Sequence, residues 1–128
     1  KQKLKIKTRY FNYFVFEHKN VFLYQKRINK DIWQNLFEFY LVEEKSSKKA
    51  LQSINNKIQK KLPEPEKSNV VTQLSHQKIN VVFYNFNIDK KEDLNTIKET
   101  LNLKILQKSN IKKFGFPKVV DNYLNSHS

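Results

Sequence analysis

Cysteine and methionine are absent from these 128 residues, glycine occurs once, at Gly115, and proline three times. Without a thiol the chain makes no disulfide, no thiolate zinc site and no iron–sulfur ligation of its own. The three histidines, His18, His76 and His127, are scattered and form no ligand cluster. No apolar run approaches the roughly 20 residues that span a bilayer. The start carries neither Met nor the apolar stretch of a signal peptide, so the expectation is a soluble, cytoplasmic fragment with no membrane partner. Arginine is scarce too, with only Arg9 and Arg27 among 25 basic residues.

What is present is aromatic and basic. Ten Phe, six Tyr and one Trp supply large buried surfaces to a chain that is only 38% apolar, enough for one core in a domain of ordinary size. The 25 Lys and Arg against 12 Asp and Glu give a net charge of +13. Such an excess favours a polyanionic partner through counterion release. A surface that is nearly all Lys suits phosphates better than the bidentate reading of guanine that Arg performs. The competing reading is a Lys- and Asn-rich composition that makes any protein basic.

Periodicity orders the chain. Arg9 to Glu17 is almost wholly aromatic or β-branched, as expected of a strand covered on both faces. A turn at His18-Lys19-Asn20, with Asn20 as the left-handed candidate, leads to a second strand from Val21 to Arg27. Asn29 to Asn35 reads as a polar loop around Trp33, and Leu36 to Val42 as one short strand. Leu51, Ile54, Ile58 and Leu62 share one face of an amphipathic helix between Ser46 and Leu62. Pro63 to Ser68 cannot continue that helix and is read as a linker within the domain. Strands follow over Val70–Leu74 and Lys78–Ile88, the latter with Val82, Tyr84, Phe86 and Ile88 on one face and Val81 and Phe83 on the other. Glu92–Leu101 is a predicted helix, Leu103–Leu106 a strand, Asn110–Phe114 a short helix, and Pro117 opens a last helix with Val120, Tyr123 and Leu124 as its buried stripe.

Four stretches carry a resemblance. Arg9-Tyr10-Phe11-Asn12-Tyr13-Phe14-Val15, Asp31-Ile32-Trp33-Gln34-Asn35-Leu36-Phe37-Glu38-Phe39, Leu74-Ser75-His76-Gln77-Lys78-Ile79 and Phe116-Pro117-Lys118-Val119-Val120 follow in an order and spacing that resembles the C-terminal domain of bacterial adenine DNA glycosylases. Tyr40 stands where the family usually has Pro, and Leu74 where it often has Phe. The resemblance implies an α/β (α+β), Nudix-like fold, a mixed β-sheet flanked by helices. The implied layout is the end of an interdomain linker over 1–7, one domain over 8–125 and a C-terminal tail over 126–128. It also implies an N-terminal glycosylase domain in cis, with an iron–sulfur cluster, that excises adenine mispaired with 8-oxoguanine. This domain would need no cofactor, act as a monomer and read 8-oxoguanine in double-stranded DNA.

Residue by residue, the resemblance carries lesion binding to Leu74, Ser75 and His76. Oxidation at C8 makes N7 of guanine a donor and adds a carbonyl oxygen, and a Ser hydroxyl or His imidazole can both donate and accept. The plain alternative is that Ser75 caps a turn and His76 packs at a strand start. Lys26, Arg27, Lys30 and Lys78 are the phosphate candidates, against the alternative of a solvated basic face. Trp33 and Phe37 read as core, and Asp31 and Glu38 as structural carboxylates.

Hydrolases of the Nudix fold hold Mg²⁺ with a dense set of Glu on one helix, in a motif of Gly, five residues, Glu, seven residues, Arg-Glu, two residues and Glu-Glu. The stretch from Ser46 to Leu62 has no Asp or Glu and five Lys, and no Arg follows Arg27. The expectation is no catalysis in this chain. The other live reading is an inactive Nudix-like adaptor for RNA or protein, with Phe83 or Tyr84 as exposed stacking platforms in the RNA case. An active hydrolase is the least favoured.

Overall fold

The computed structural model describes residues 5–126. Eleven elements follow in order: β1 (Lys7–His18), β2 (Val21–Lys26), β3 (Phe37–Glu38), β4 (Tyr40–Glu43), α1 (Ser47–Ile58), β5 (Glu66–Leu74), β6 (Gln77–Asn87), α2 (Lys91–Thr100), β7 (Lys104–Gln107), a 3-10 helix (Lys108–Lys113) and α3 (Lys118–Ser126). Lys1 to Leu4, most of the expected linker, lie outside the described residues, as do His127 and Ser128 of the expected tail. Lys5 and Ile6 have no regular structure.

β1 lies at the centre because both of its faces are apolar. It pairs in parallel with β6 over eleven positions, from Lys7 opposite Gln77 to Glu17 opposite Asn87. The other pairings are antiparallel, and the sheet runs β3-β2-β1-β6-β5, with β4 also on β1 and β7 on β2. Alternation along β1 feeds two cores. Phe11, Tyr13 and Val15 join Ile79, Val81, Phe83, Phe39 and the α3 residues Val119, Val120 and Tyr123. Phe14 and Phe16 join Tyr84 and Phe86 under α1 and α2, through Ala50, Ile54, Leu94 and Ile97. The Phe83 and Tyr123 rings stack at 4.1 Å and those of Phe14 and Tyr84 at 4.9 Å. Each fully buried Phe contributes about 1.5–3 kcal/mol relative to exposure, so ring burial offsets the low apolar fraction. The result is a mixed sheet with helices on both faces, as expected.

Several local expectations are corrected. Leu36 to Val42 is not one strand: β3 pairs with β2 and β4 with β1, and the chain crosses between them at the fully buried Phe39. The left-handed residue of the first turn is Lys19, at φ 52°, not Asn20. α1 stops at Ile58, where Gln59 takes φ 55° and donates its N–H to the Asn55 carbonyl, so Leu62 lies off the helix. β5 begins at Glu66, inside the stretch read as a linker, because the register with β6 extends back to Glu66 opposite Asn85. Phe83 and Tyr84, at 2% and 0% exposure, offer no stacking surface to RNA.

Candidate functional site

The β5–β6 hairpin closes at Leu74 opposite Gln77, which leaves Ser75 and His76 as a two-residue loop. Favoured loops of this length use left-handed residues, yet neither of these two has a positive φ. Both are exposed, while Leu74 is half-buried and packs on the core beneath α3. The backbone of the turn is tied down. The Lys7 N–H donates to the His76 carbonyl at 3.0 Å, and Gln73 Nε2 donates to the carbonyls of Leu74 and Gln77 at 3.1 and 3.3 Å. The side chains are not: among the described residues nothing hydrogen-bonds to the Ser75 hydroxyl or the His76 ring. Among the described residues the Ser75 hydroxyl therefore makes no turn cap, and the exposed His76 ring has no hydrogen-bond partner at the strand start. The pair is a donor-and-acceptor set held out on a fixed backbone.

Beside the turn lies a cluster of ionised groups that sequence reasoning assembled only in part. Arg9 donates from Nε and Nη2 to the Glu43 carboxylate at 2.9 and 2.8 Å, from Nη2 to Asp31 at 2.9 Å and from Nη1 to Gln77 Oε1 at 3.1 Å. Arg27 donates from Nη2 to both Asp31 oxygens at 2.7 and 2.9 Å and from Nε to the Ile32 carbonyl at 2.9 Å. Its Nη1 stands 3.7 Å from Glu38, which accepts from Tyr13 and Gln25 at 3.2 and 3.0 Å. Both guanidinium groups also sit over the Phe11 ring, at 4.9 and 5.2 Å, where cation–π attraction adds to the ion pairs.

Charge and burial compete at each carboxylate. At Asp31 burial raises the pKa, but hydrogen bonds and charge from Arg9 and Arg27 outweigh it and hold the group below its usual range. Glu43 is held low chiefly by its hydrogen bonds from Arg9. Glu38 goes the other way: burial raises it, and the Arg27 charge offsets only part of that rise. Burial, aided by neighbouring Glu38, also lifts the Tyr13 hydroxyl well above its ordinary value.

The cluster removes Arg27 from the phosphate candidates. At 3% exposure, with its donors turned to Asp31, Ile32 and Glu38, it faces inward. Asp31 and Glu38 are structural, as expected, and Trp33 meets Phe11 edge-on at 5.7 Å within the core. Lys26, Lys30 and Lys78 are all exposed. Lys78 is two residues past the turn, and Lys30 precedes Asp31 on the loop that Arg27 holds. Lys26 lies in a groove of about 650 Å³ that it shares with Asn29, Asn102 and Lys104.

A Mg²⁺ ion as held by Nudix hydrolases does not fit the residues present. α1 follows β4 and bears lysines with no carboxylate. Of the acids just before it, Glu43 is bound to Arg9 and Glu44 accepts from the Ser46 N–H at the helix start.

The NUDIX domain family matches residues 12–126. Among solved structures, the solution structure of the E. coli ORF135 protein aligns at 15% identity over 66% of each chain, with a TM-score of 0.44. No curated protein matches the sequence. With its central β1, its helices on both sheet faces and a family match over nearly its whole length, the chain belongs to the NUDIX domain family.

Proposed function

We propose that this domain reads 8-oxoguanine opposite adenine in double-stranded DNA, as the C-terminal part of a bacterial, cytoplasmic adenine DNA glycosylase. One observation carries the reading: the Ser75 and His76 side chains are exposed, and hydrogen-bonded to nothing among the described residues, on a turn whose backbone is tied to β1. A lesion that presents a new N–H beside a new carbonyl is met by groups that both accept and donate. Such pairs are worth about 1–3 kcal/mol of discrimination, while the net charge of +13 supplies the phosphate affinity on which that discrimination acts. The four sequence stretches that resemble the glycosylase family include this turn, and its carried-over lesion site falls on it. Excision belongs to the N-terminal domain and its iron–sulfur cluster, and this chain is without catalysis because α1 offers no carboxylate to a divalent cation.

The test is an amide chemical-shift and affinity titration with a duplex carrying 8-oxoguanine opposite adenine, beside an undamaged duplex. Native protein is expected to prefer the lesion by about fivefold or more, with shifts centred on Leu74 to Lys78. The double variant Ser75→Ala, His76→Ala should lose that preference and keep its affinity for undamaged DNA. Equal binding to both duplexes, with shifts spread over the lysine faces, would reject the lesion reading. Turnover of nucleotides to phosphate with Mg²⁺ would reject the absence of catalysis.

A further inference from the structure

Arg9 and Arg27 are the only arginines in a chain that otherwise carries its positive charge on lysine, and both are buried, at 8% and 3% exposure. A buried guanidinium is tolerated only where acceptors meet its donors. Those of Arg9 come from three separate segments: Glu43 at the end of β4, Asp31 in the loop between β2 and β3, and Gln77 at the first position of β6. A planar fork reaches three directions at once, which a single ammonium on a flexible stem does not.

The Gln77 arm is the informative one. Gln77 directly follows His76, and two residues before Arg9 the Lys7 N–H holds the His76 carbonyl. β1 thus grips the turn twice, at positions 76 and 77, from residues 7 and 9. The Asp31 arm reaches the other way, because Asp31 shares its carboxylate between Arg9 and Arg27 and adjoins the exposed Lys30.

We infer that Arg9 is a positioning residue, whose fork fixes the Ser75–His76 turn and the Lys30 loop as one rigid surface for duplex DNA. The inference rests on the lesion reading of that turn and adds to it the device that holds the reading groups in place. Without the fork the turn keeps its ties to Lys7 and Gln73 but loses the one that reaches it through the Gln77 side chain, and a reading group displaced by about 1 Å loses most of its selectivity.

Gln77→Leu tests this without touching Arg9, since it removes one acceptor at the surface end of β6. Gln77→Glu restores an acceptor. Backbone order parameters of Ser75 and His76 in the free protein are expected to fall below the roughly 0.85 of rigid backbone in Gln77→Leu and to recover in Gln77→Glu. In parallel, preference for the 8-oxoguanine duplex should drop about fivefold in Gln77→Leu, with affinity for undamaged duplex unchanged and full recovery in Gln77→Glu. Order parameters or a preference unchanged in Gln77→Leu would overturn the role given to Arg9. A native protein with no lesion preference would instead defeat the lesion reading, while the order parameters would still decide whether Arg9 holds the turn.

Discussion

Glu38, buried at 3% exposure with the Arg27 guanidinium 3.7 Å away, shows how residue-scale chemistry sets the stability of the site. Its folded pKa lies above the ordinary 4.5, so the folded state binds this proton more readily than the unfolded chain does. The stability it lends is present at low pH and is lost as pH rises through the folded value. Asp31 and Glu43, held below 3.8 and 4.5, act in the opposite sense: their contribution is present above the unfolded values and lost as pH falls. Urea unfolding from neutral to acid pH is therefore expected to show the native protein gaining on Glu38→Gln as pH falls toward the ordinary glutamate value of 4.5, and both losing stability in parallel below it. A constant difference across that range would mean that folding does not shift the Glu38 pKa. The role of Glu38 as a structural carboxylate was legible in the sequence, but the burial of Arg27 was not. A cation at a strand end reads as solvent-facing by default. The signal that points inward is the rarity of arginine, because a chain that otherwise carries its positive charge on Lys keeps Arg where its fork is needed.

At the scale of elements, the strands with unbroken apolar alternation were legible, and the faces of α1 and α3 were so in part, through Ile54 and Ile58 and through Val120 and Tyr123, while Ala50 and Val119 are buried outside the expected stripes. Two-faced burial of β1 and the split of β6 into odd and even faces follow from period two alone. What periodicity does not carry is partner choice: Phe39 alternates correctly, yet the chain changes partner strand there, and no local pattern marks a strand that leaves β2 for β1. Helix ends depend on backbone conformation in the same way. Gln59 closes α1 in the left-handed region at φ 55°, where a side chain costs about 1 kcal/mol that glycine avoids. Gln59→Gly should accordingly stabilise the domain by about 0.5–1 kcal/mol, read as a higher thermal midpoint. A lower midpoint would show that the Gln59 side chain contributes packing that outweighs the strain. The Ser-His turn was legible as a place and not as a geometry, since its ties run to Lys7 and, through Gln77, to Arg9, some 70 residues upstream.

For the whole molecule, the mixed sheet and its flanking helices were legible from the order of elements together with the resemblance, and the family match over residues 12–126 agrees with them. The charge has a second consequence at this scale, through the outer strand. Among the described residues β5 pairs on one side only, its stretch from Ser68 to Leu74 carries no charge, and Val70 and Val71 are 41% and 55% exposed. An open, uncharged edge of this length is a template for the same edge of another molecule. Copies bearing +13 repel one another over about 10 Å at 0.1 M salt, and over only about 3 Å at 1 M. Colloidal stability is thereby tied to ionic strength, in the sense opposite to that of a protein whose copies attract through opposite charges. Light scattering is expected to report self-association of the native protein as salt rises toward about 1 M and a monodisperse Val71→Lys variant under the same conditions. Association that survives in Val71→Lys would place the contact elsewhere. The lysines scattered over the surface are then guards of an unfinished sheet, whatever else they bind.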